Sequence, residues 1–316
     1  MADLSLTLGG VDLRSPVLPA SGTFGLRHGE VFDLGRLGAV VPKTLTLHPR
    51  KGHPPPRFAE VPGGLINAIG IPSPGIEAAR QNLATFAALG PPLIVSISAD
   101  TAEEFGAAAA ALEATQAAAL ELNLSCPNLE GDGHLFAADP AAARRAVRAA
   151  RAATARPIWC KLSPAVGAAG DVARACAEGG AAALIVGNTM PAMAFGKAGA
   201  PILSNRTGGL SGQPLKPVML RLLDEISRAT SLPLVGCGGV ETLDDLLDVF
   251  SAGGSAAAIG SATLRRPSAM ARVLDALDDY LDATSESLAA LTARRRQAAC
   301  APATVQVPRK LEDLCR

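Results

Sequence analysis

The sequence predicts a single (β/α)8 TIM barrel with inserted loops at the C-terminal face. Three observations carry this. Short apolar segments recur along the chain, they are nearly continuous rather than alternating, and stretches of helical composition separate most of them. Continuous apolar runs suit parallel strands buried on both faces. Strict alternation of strand and helix in a chain of this length is most economically a barrel, with an open doubly wound sheet as the other arrangement.

The expected strands are Ser15–Ser21, Leu37–Thr46, Pro92–Ser98, Ala118–Ser125, Pro157–Ser163, Ala182–Thr189, Pro233–Gly239 and Ala256–Ala262. The expected helices are Thr101–Gln116, Asp139–Ala155, Asp171–Gly180, Leu215–Thr230 and Thr242–Gly254. Several open on Asp or Thr in capping position and several close on Gly, as start and stop signals do. Two segments fall outside the alternation. Pro49–Pro74 is too rich in Pro and Gly for a helix and too long for an ordinary connection, so an ordered functional loop is expected, with a similar insertion at Pro191–Gly212. The barrel is expected over residues 1–284, with 285–316 as a C-terminal tail to which the sequence assigns no role.

The chain has 316 residues, 48% hydrophobic and 18% charged, with 29 basic and 29 acidic side chains. It can bury a sizeable core and carries no net field, which argues against a nucleic-acid footprint. The N-terminus has neither a basic leader nor a long apolar run, and no later stretch is long enough to span a bilayer, so a cytoplasmic protein without membrane association is expected. Cys126, Cys160, Cys176, Cys237, Cys300 and Cys315 form no C-x-x-C pair and have no His at ligand spacing, so no metal site is expected.

In this fold the strand C-termini converge on one site. Lys43, Asn123, Cys126, Lys161, Asn188 and the glycines of "GCGG" all fall at or near such ends. "VGCGGV" and "AIGSAT" place glycine turns after the last two strands, the usual phosphate position of the fold, where backbone N–H groups approach an anion without Cβ interference. Lys43 and Lys161, buried on strands, need negative charge nearby. FMN offers a phosphate and an electron-rich N1–C2=O edge; an internal salt bridge to Asp or Glu would serve as well. Asn67, Asn123, Asn128 and Asn188 suit a planar ring carrying amides and a carboxylate, and none can transfer a proton. Cys126 in "NLSCPN" is the group of this set that can.

With "LINAIG", "NLSCPN" and "GGLSG", together with "VPKTLTLHPRKGHPPPRFAEVPGG", "KLSP", "GNT" and "GCGGVETLDD", the sequence resembles the class I dihydroorotate dehydrogenases from about Pro16 to Pro267. The proline-rich loop and "PILSNRTGGLSG" are most similar to the NAD-linked B-type subclass, whose catalytic subunit works with an iron–sulfur and FAD-containing electron-transfer subunit. The resemblance implies oxidation of dihydroorotate to orotate in pyrimidine biosynthesis. Cys126 would take the C5 proton while hydride leaves C6 for N5 of FMN. Substrate would be held by Lys43, Asn67, Ala68, Ile69, Gly70, Ile71, Asn123, Asn128, Asn188 and Thr189. FMN would lie against Ala20, Ser21, Lys43, Thr44, Ser96, Asn123, Lys161 and Gly187, with its phosphate near Gly212, Gly238, Gly239, Gly260 and Ser261. A homodimer associating with the electron-transfer subunit is the implied assembly. A free thiol near pKa 8.5 is about a few per cent ionised at neutral pH, so turnover is expected to rise with pH unless the site lowers that value.

The chain departs from the family pattern at three places: Ser96 and Ala165 stand where Asn is usual, and Gly187 replaces an apolar residue. These bear on flavin affinity more than on the reaction. Other readings are a related FMN barrel acting on another pyrimidine, as a dihydropyrimidine dehydrogenase does, a Cys–His hydrolase built from Cys126 and His134, and a flavin-binding protein without turnover. The hydrolase leaves the two glycine turns unexplained.

Overall fold

The structure, a computed structural model, describes residues 2–125, 136–165 and 167–301. Its elements run β1 (Leu6–Leu8), β2 (Val11–Leu13), β3 (Val17–Pro19), β4 (Phe58–Val61), β5 (Gly64–Asn67), α1 (Ile76–Ala87), β6 (Leu93–Ile97), α2 (Ala102–Leu112), β7 (Ala117–Asn123) and α3 (Pro140–Ala153). They continue as β8 (Ile158–Leu162), α4 (Ala169–Gly179), β9 (Ala183–Val186), β10 (Met190–Met193), β11 (Thr207–Gly212), α5 (Lys216–Ala229), β12 (Leu234–Gly236), α6 (Leu243–Ser251), β13 (Ala256–Ile259), α7 (Ser261–Arg265), α8 (Ala269–Thr284) and α9 (Leu288–Ala299).

Seven strands form one parallel sheet in the order β3-β13-β12-β9-β8-β7-β6. The expected strand at Leu37–Thr46 is not regular. It continues the pairing beside β6 only as two parallel bridges, Val40 with Leu93 and Leu45 with Ile97. Pro42 lies between them and has no N–H for a ladder. The sheet curls. Leu18, Val41, Ile94, Trp159, Ile185 and Val235 belong to one buried cluster, whereas a flat seven-stranded sheet would hold its outer strands about 29 Å apart. Period-two alternation puts the other residues of the same strands, Leu122, Cys160, Leu184 and Ile259 among them, against the helices in a second, larger cluster.

Helix starts follow the sequence signals. Thr101 Oγ1 accepts from Glu104 N at 3.2 Å and Asp139 Oδ1 from Ala141 N at 2.8 Å. Thr242 and Asp245 cap α6 reciprocally. The α4 helix begins at Ala169, two residues before the expected Asp171, and ends on Gly180 with φ +101°. At the far end, α9 packs on α6: Leu291 is buried in the larger cluster, and the Arg296 guanidinium donates to the carbonyls of Gly253 and Gly254 at 3.0 and 3.1 Å.

Two features were not expected. The N-terminal hairpin β1–β2 closes one end of the curled sheet, adding Leu8, Val11 and Leu13 to the inner cluster. Its turn uses Gly9 and Gly10 at φ +54° and +78°, and a Cβ on Gly9 would stand 2.8 Å from Trp159 Nε1. The two insertions are not loops alone: they supply β4, β5, β10 and β11, a four-stranded antiparallel sheet in the order β10-β11-β5-β4 with its own small core of Ile66, Ala68 and Leu203.

Candidate active site

The inner face of the parallel sheet changes character along each strand. Near the hairpin end it is apolar, and one step towards the C-terminal ends it becomes polar. On β7, Ala119 gives way to Glu121 and then Asn123, and on β8, Trp159 gives way to Lys161. Glu121, Asn123 and Lys161 are all buried. Ser96 Oγ donates to Glu121 Oε1 at 2.6 Å and hydrogen-bonds Thr44 Oγ1 at 3.0 Å. The hydroxyl of Ser96 thus anchors a carboxylate that the sequence reading passed over. Glu121 was visible only as the residue two before Asn123 on the same strand face.

Lys161 Nζ hydrogen-bonds Ser21 Oγ at 3.3 Å. Burial opposes its charge, but the negative charge of Cys237, where its thiol ionises, and that of Glu121 offset this and hold the ammonium above its ordinary value. Burial likewise pushes the Cys237 thiol up, against the pull of Lys161 and with the push of Glu121. Burial also drives the Cys160 thiol well above its ordinary value, reinforced by Cys176. Both thiols are therefore protonated at neutral pH and poor nucleophiles.

Three amides and a hydroxyl link the parallel sheet to the antiparallel one. Asn188 Nδ2 donates to Asn123 Oδ1 at 3.3 Å, and Asn188 Oδ1 accepts from Thr189 N at 2.8 Å. Thr189 lies against Gly209, where a Cβ would stand 1.9 Å from its Oγ1, and Gly209 O accepts from Asn67 Nδ2 at 3.2 Å. Asn67 ends β5, and the turn that follows runs through Ala68, Ile69, Gly70 and Ile71, with φ +73° at Gly70 and +48° at Ile71. His53, also absent from the sequence reading, braces that turn. Its N donates to Ile69 O at 3.1 Å, and its Nδ1 lies 3.1 Å from Ala68 O.

Of the expected phosphate glycines, Gly212 and Gly239 meet in space, and Gly260 lies against Ala20. A Cβ on Gly239 would fall 2.9 Å from Gly212 O, and one on Gly260 would fall 3.3 Å from Ala20 Cβ, with Ser261 buried beside it. Gly238 and Gly239 take φ +151° and +73°. Gly187, a departure from the family pattern, has no room for a side chain: at φ +114° its Cβ would stand 2.1 Å from Cys237 O. Lys43 reaches over Gly22, where a Cβ would meet its Cδ at 3.0 Å. Cys126, Asn128 and His134 lie outside the described residues. The hydroxyl of Ser125, immediately before them, is buried and has no hydrogen-bond partner among the described residues.

This donor set fits FMN. Backbone surfaces bared by glycine surround Gly212 and Gly239, ammonium groups stand at Lys43 and Lys161, and an amide pair is formed by Asn188 and by Asn123, the register partner of Lys161.

The profile of the dihydroorotate dehydrogenase family matches residues 3–281. The chain belongs to the dihydroorotate dehydrogenases. It is 43% identical over 285 residues to "Dihydroorotate dehydrogenase B (NAD(+)), catalytic subunit" of Pelobacter propionicus, covering 89% of this chain and 94% of that relative. The proteins of the same name from Desulforudis audaxviator and Bacillus mycoides are 43% and 39% identical, over 88% and 89% of this chain and 92% and 93% of their own. The B-type dehydrogenase subclass expected from the sequence is thus shown. Among the described residues of this dehydrogenase, no helix is long and apolar enough to cross a membrane.

Proposed function

We propose that this chain is the FMN-dependent catalytic subunit that oxidises dihydroorotate to orotate in pyrimidine biosynthesis. One observation carries the site assignment. Asn67, Asn123 and Asn188, far apart in the chain, are joined at one mouth of the sheet by the Asn123–Asn188 pair and the Thr189–Gly209–Asn67 contact, and Lys161 is the register partner of Asn123 on the neighbouring strand. The reading of the scaffold as a full eight-stranded barrel is supported by the bridges at Val40 and Leu45 and by Gly38 N donating to Val17 O at 2.8 Å, which brings the two outer edges together.

Dihydroorotate is a planar-edged ring with a carboxylate, and the amides of Asn67, Asn123, Asn128 and Asn188 offer it paired donors and acceptors. Lys43 adds the cation for an anionic substrate or cofactor edge. Cys126, three residues past the end of β7 in the sequence, takes the C5 proton as thiolate; the C6 hydrogen departs with its electron pair, and the C5=C6 double bond of orotate forms. FMN, when bound, supplies the two-electron acceptor. Lys161, charged and buried, stabilises negative charge arising at the face it shares with Ser21. Action on another pyrimidine is not favoured, since these relatives share one name over 89% and 88% of this chain.

The names of the relatives include NAD and the word subunit. We place the chain in the cytoplasm as a homodimer that passes electrons to an iron–sulfur and FAD subunit. Substituting Cys126→Ala tests the base: dihydroorotate-dependent bleaching of the flavin absorbance should fall by about 10²- to 10⁴-fold while flavin stays bound. Unchanged bleaching overturns the assignment. Assaying the purified chain with NAD and with fumarate as acceptors tests the partner: full-rate NAD reduction without a second subunit overturns it.

A further inference from the structure

One carboxylate ties the two glycine turns together. Asp245, the third residue of α6, is 5% exposed and accepts from five donors. Glu241 N, Thr242 N and Thr242 Oγ1 each lie at 2.9 Å, Gln213 Nε2 at 3.2 Å and Lys216 Nζ at 2.5 Å. A capping box accounts for the contacts around Thr242 alone. The other two come from the opposite side, from the residues that follow Gly212 into α5.

We propose that Asp245 is the positioning residue of the FMN phosphate cradle, holding the Gly212–Lys216 turn against the Gly238–Thr242 turn. The proposal rests on the FMN reading above. The turns touch at Gly239, whose missing Cβ would meet Gly212 O at 2.9 Å and Lys216 Cβ at 2.7 Å, so a slip of either turn alters the cradle directly. Lys216 is a strut here rather than the phosphate ligand, because its ammonium is already shared between Asp245 and Asp248, the latter at 2.8 Å. Burial alone would raise the Asp245 carboxyl, but its bonds to Lys216, Glu241 N and Thr242 hold it below its ordinary value, so the link is ionic at neutral pH. The dianion is then left to backbone N–H groups, which only a fixed spacing of the two turns can aim at one point.

Titrating the full chain with FMN and with riboflavin, which has the same ring and no phosphate, isolates this role. In the unsubstituted chain FMN binds more tightly than riboflavin; equal affinities overturn the phosphate reading and this proposal with it. Asp245→Asn is expected to weaken FMN about tenfold or more while riboflavin changes less than about twofold. Lys216→Met cuts the same link from its more exposed end and should act alike, and the double variant should be no worse than the weaker single one. An FMN-over-riboflavin preference undiminished in Asp245→Asn, losses that multiply in the double variant, or an equal loss of riboflavin in both single variants overturns the proposal while leaving the phosphate reading intact.

Discussion

Trp159 and Lys161 are two residues apart on β8, face the same enclosed space and are both buried, yet they sit in opposite chemistries. Trp159 packs with Leu8, Val11 and Leu13 of the hairpin, and its Nε1 donates to Gly9 O at 3.1 Å. Lys161 faces Ser21, Glu121 and Cys237. The floor is a packed plug in which the indole N–H is satisfied, whereas the mouth keeps charges in a low-dielectric space where they act strongly and cost stability. Two residues of strand, about 6.6 Å at the usual rise, separate the end that holds the fold from the end that does chemistry.

The comparison is open to attack by substitution. Lys161→Met should have the largest effect, leaving Glu121 without its facing cation: we expect a loss of about 3–5 kcal/mol in urea unfolding together with loss of bound flavin. Trp159→Ala should cost a similar or slightly smaller amount, about 3–5 kcal/mol, but leave the KM for dihydroorotate unchanged in the folded fraction. A raised KM there would show that floor and mouth are not separable. Ser96→Ala deprives Glu121 of its donor and should cost about 1–3 kcal/mol, with a flavin spectrum shifted relative to wild type.

The smallest expected effect is on pH dependence. The Asp245 carboxyl is held below its ordinary value, so its contribution is complete above about pH 4 and is lost as pH falls further. The Lys161 ammonium is held above its ordinary value, so its contribution is complete below about pH 10 and is lost as pH rises beyond that. Urea midpoints of the Lys161→Met and unsubstituted chains should therefore converge at high pH, and those of Asp245→Asn and the unsubstituted chain at low pH. The Trp159→Ala difference should stay flat across the range.

Much of this was legible in the residues. Seven of the expected strands and the caps at Thr101, Asp139 and Thr242 follow from local signals: apolar runs ending in turns, and side-chain oxygens placed to accept the first helical N–H groups. The polar residues at the strand ends were legible too, since lysine and asparagine on a buried strand stand out. Glu121 was missed because a lone acid within "AALELNLS" looks the same whether it faces in or out. Asp245 was missed because "ETLDD" already accounts for itself as a helix start. The antiparallel sheet was missed because its strands come from insertions more than a hundred residues apart, and β5 contributes "GLIN" with glycine at its start.

The sequence by itself determined which segments are buried on both faces, where the helices begin, and which side chains can carry charge, donate or transfer a proton. These are properties of a residue and its near neighbours. Only the tertiary structure decided the contacts of Asn188 with Asn123, of Gly209 with Thr189 and Asn67, and of Asp245 with Lys216. Each brings together groups from different elements, and their distances are fixed by the curl of the sheet and the pairing of the insertions rather than by spacing along the chain.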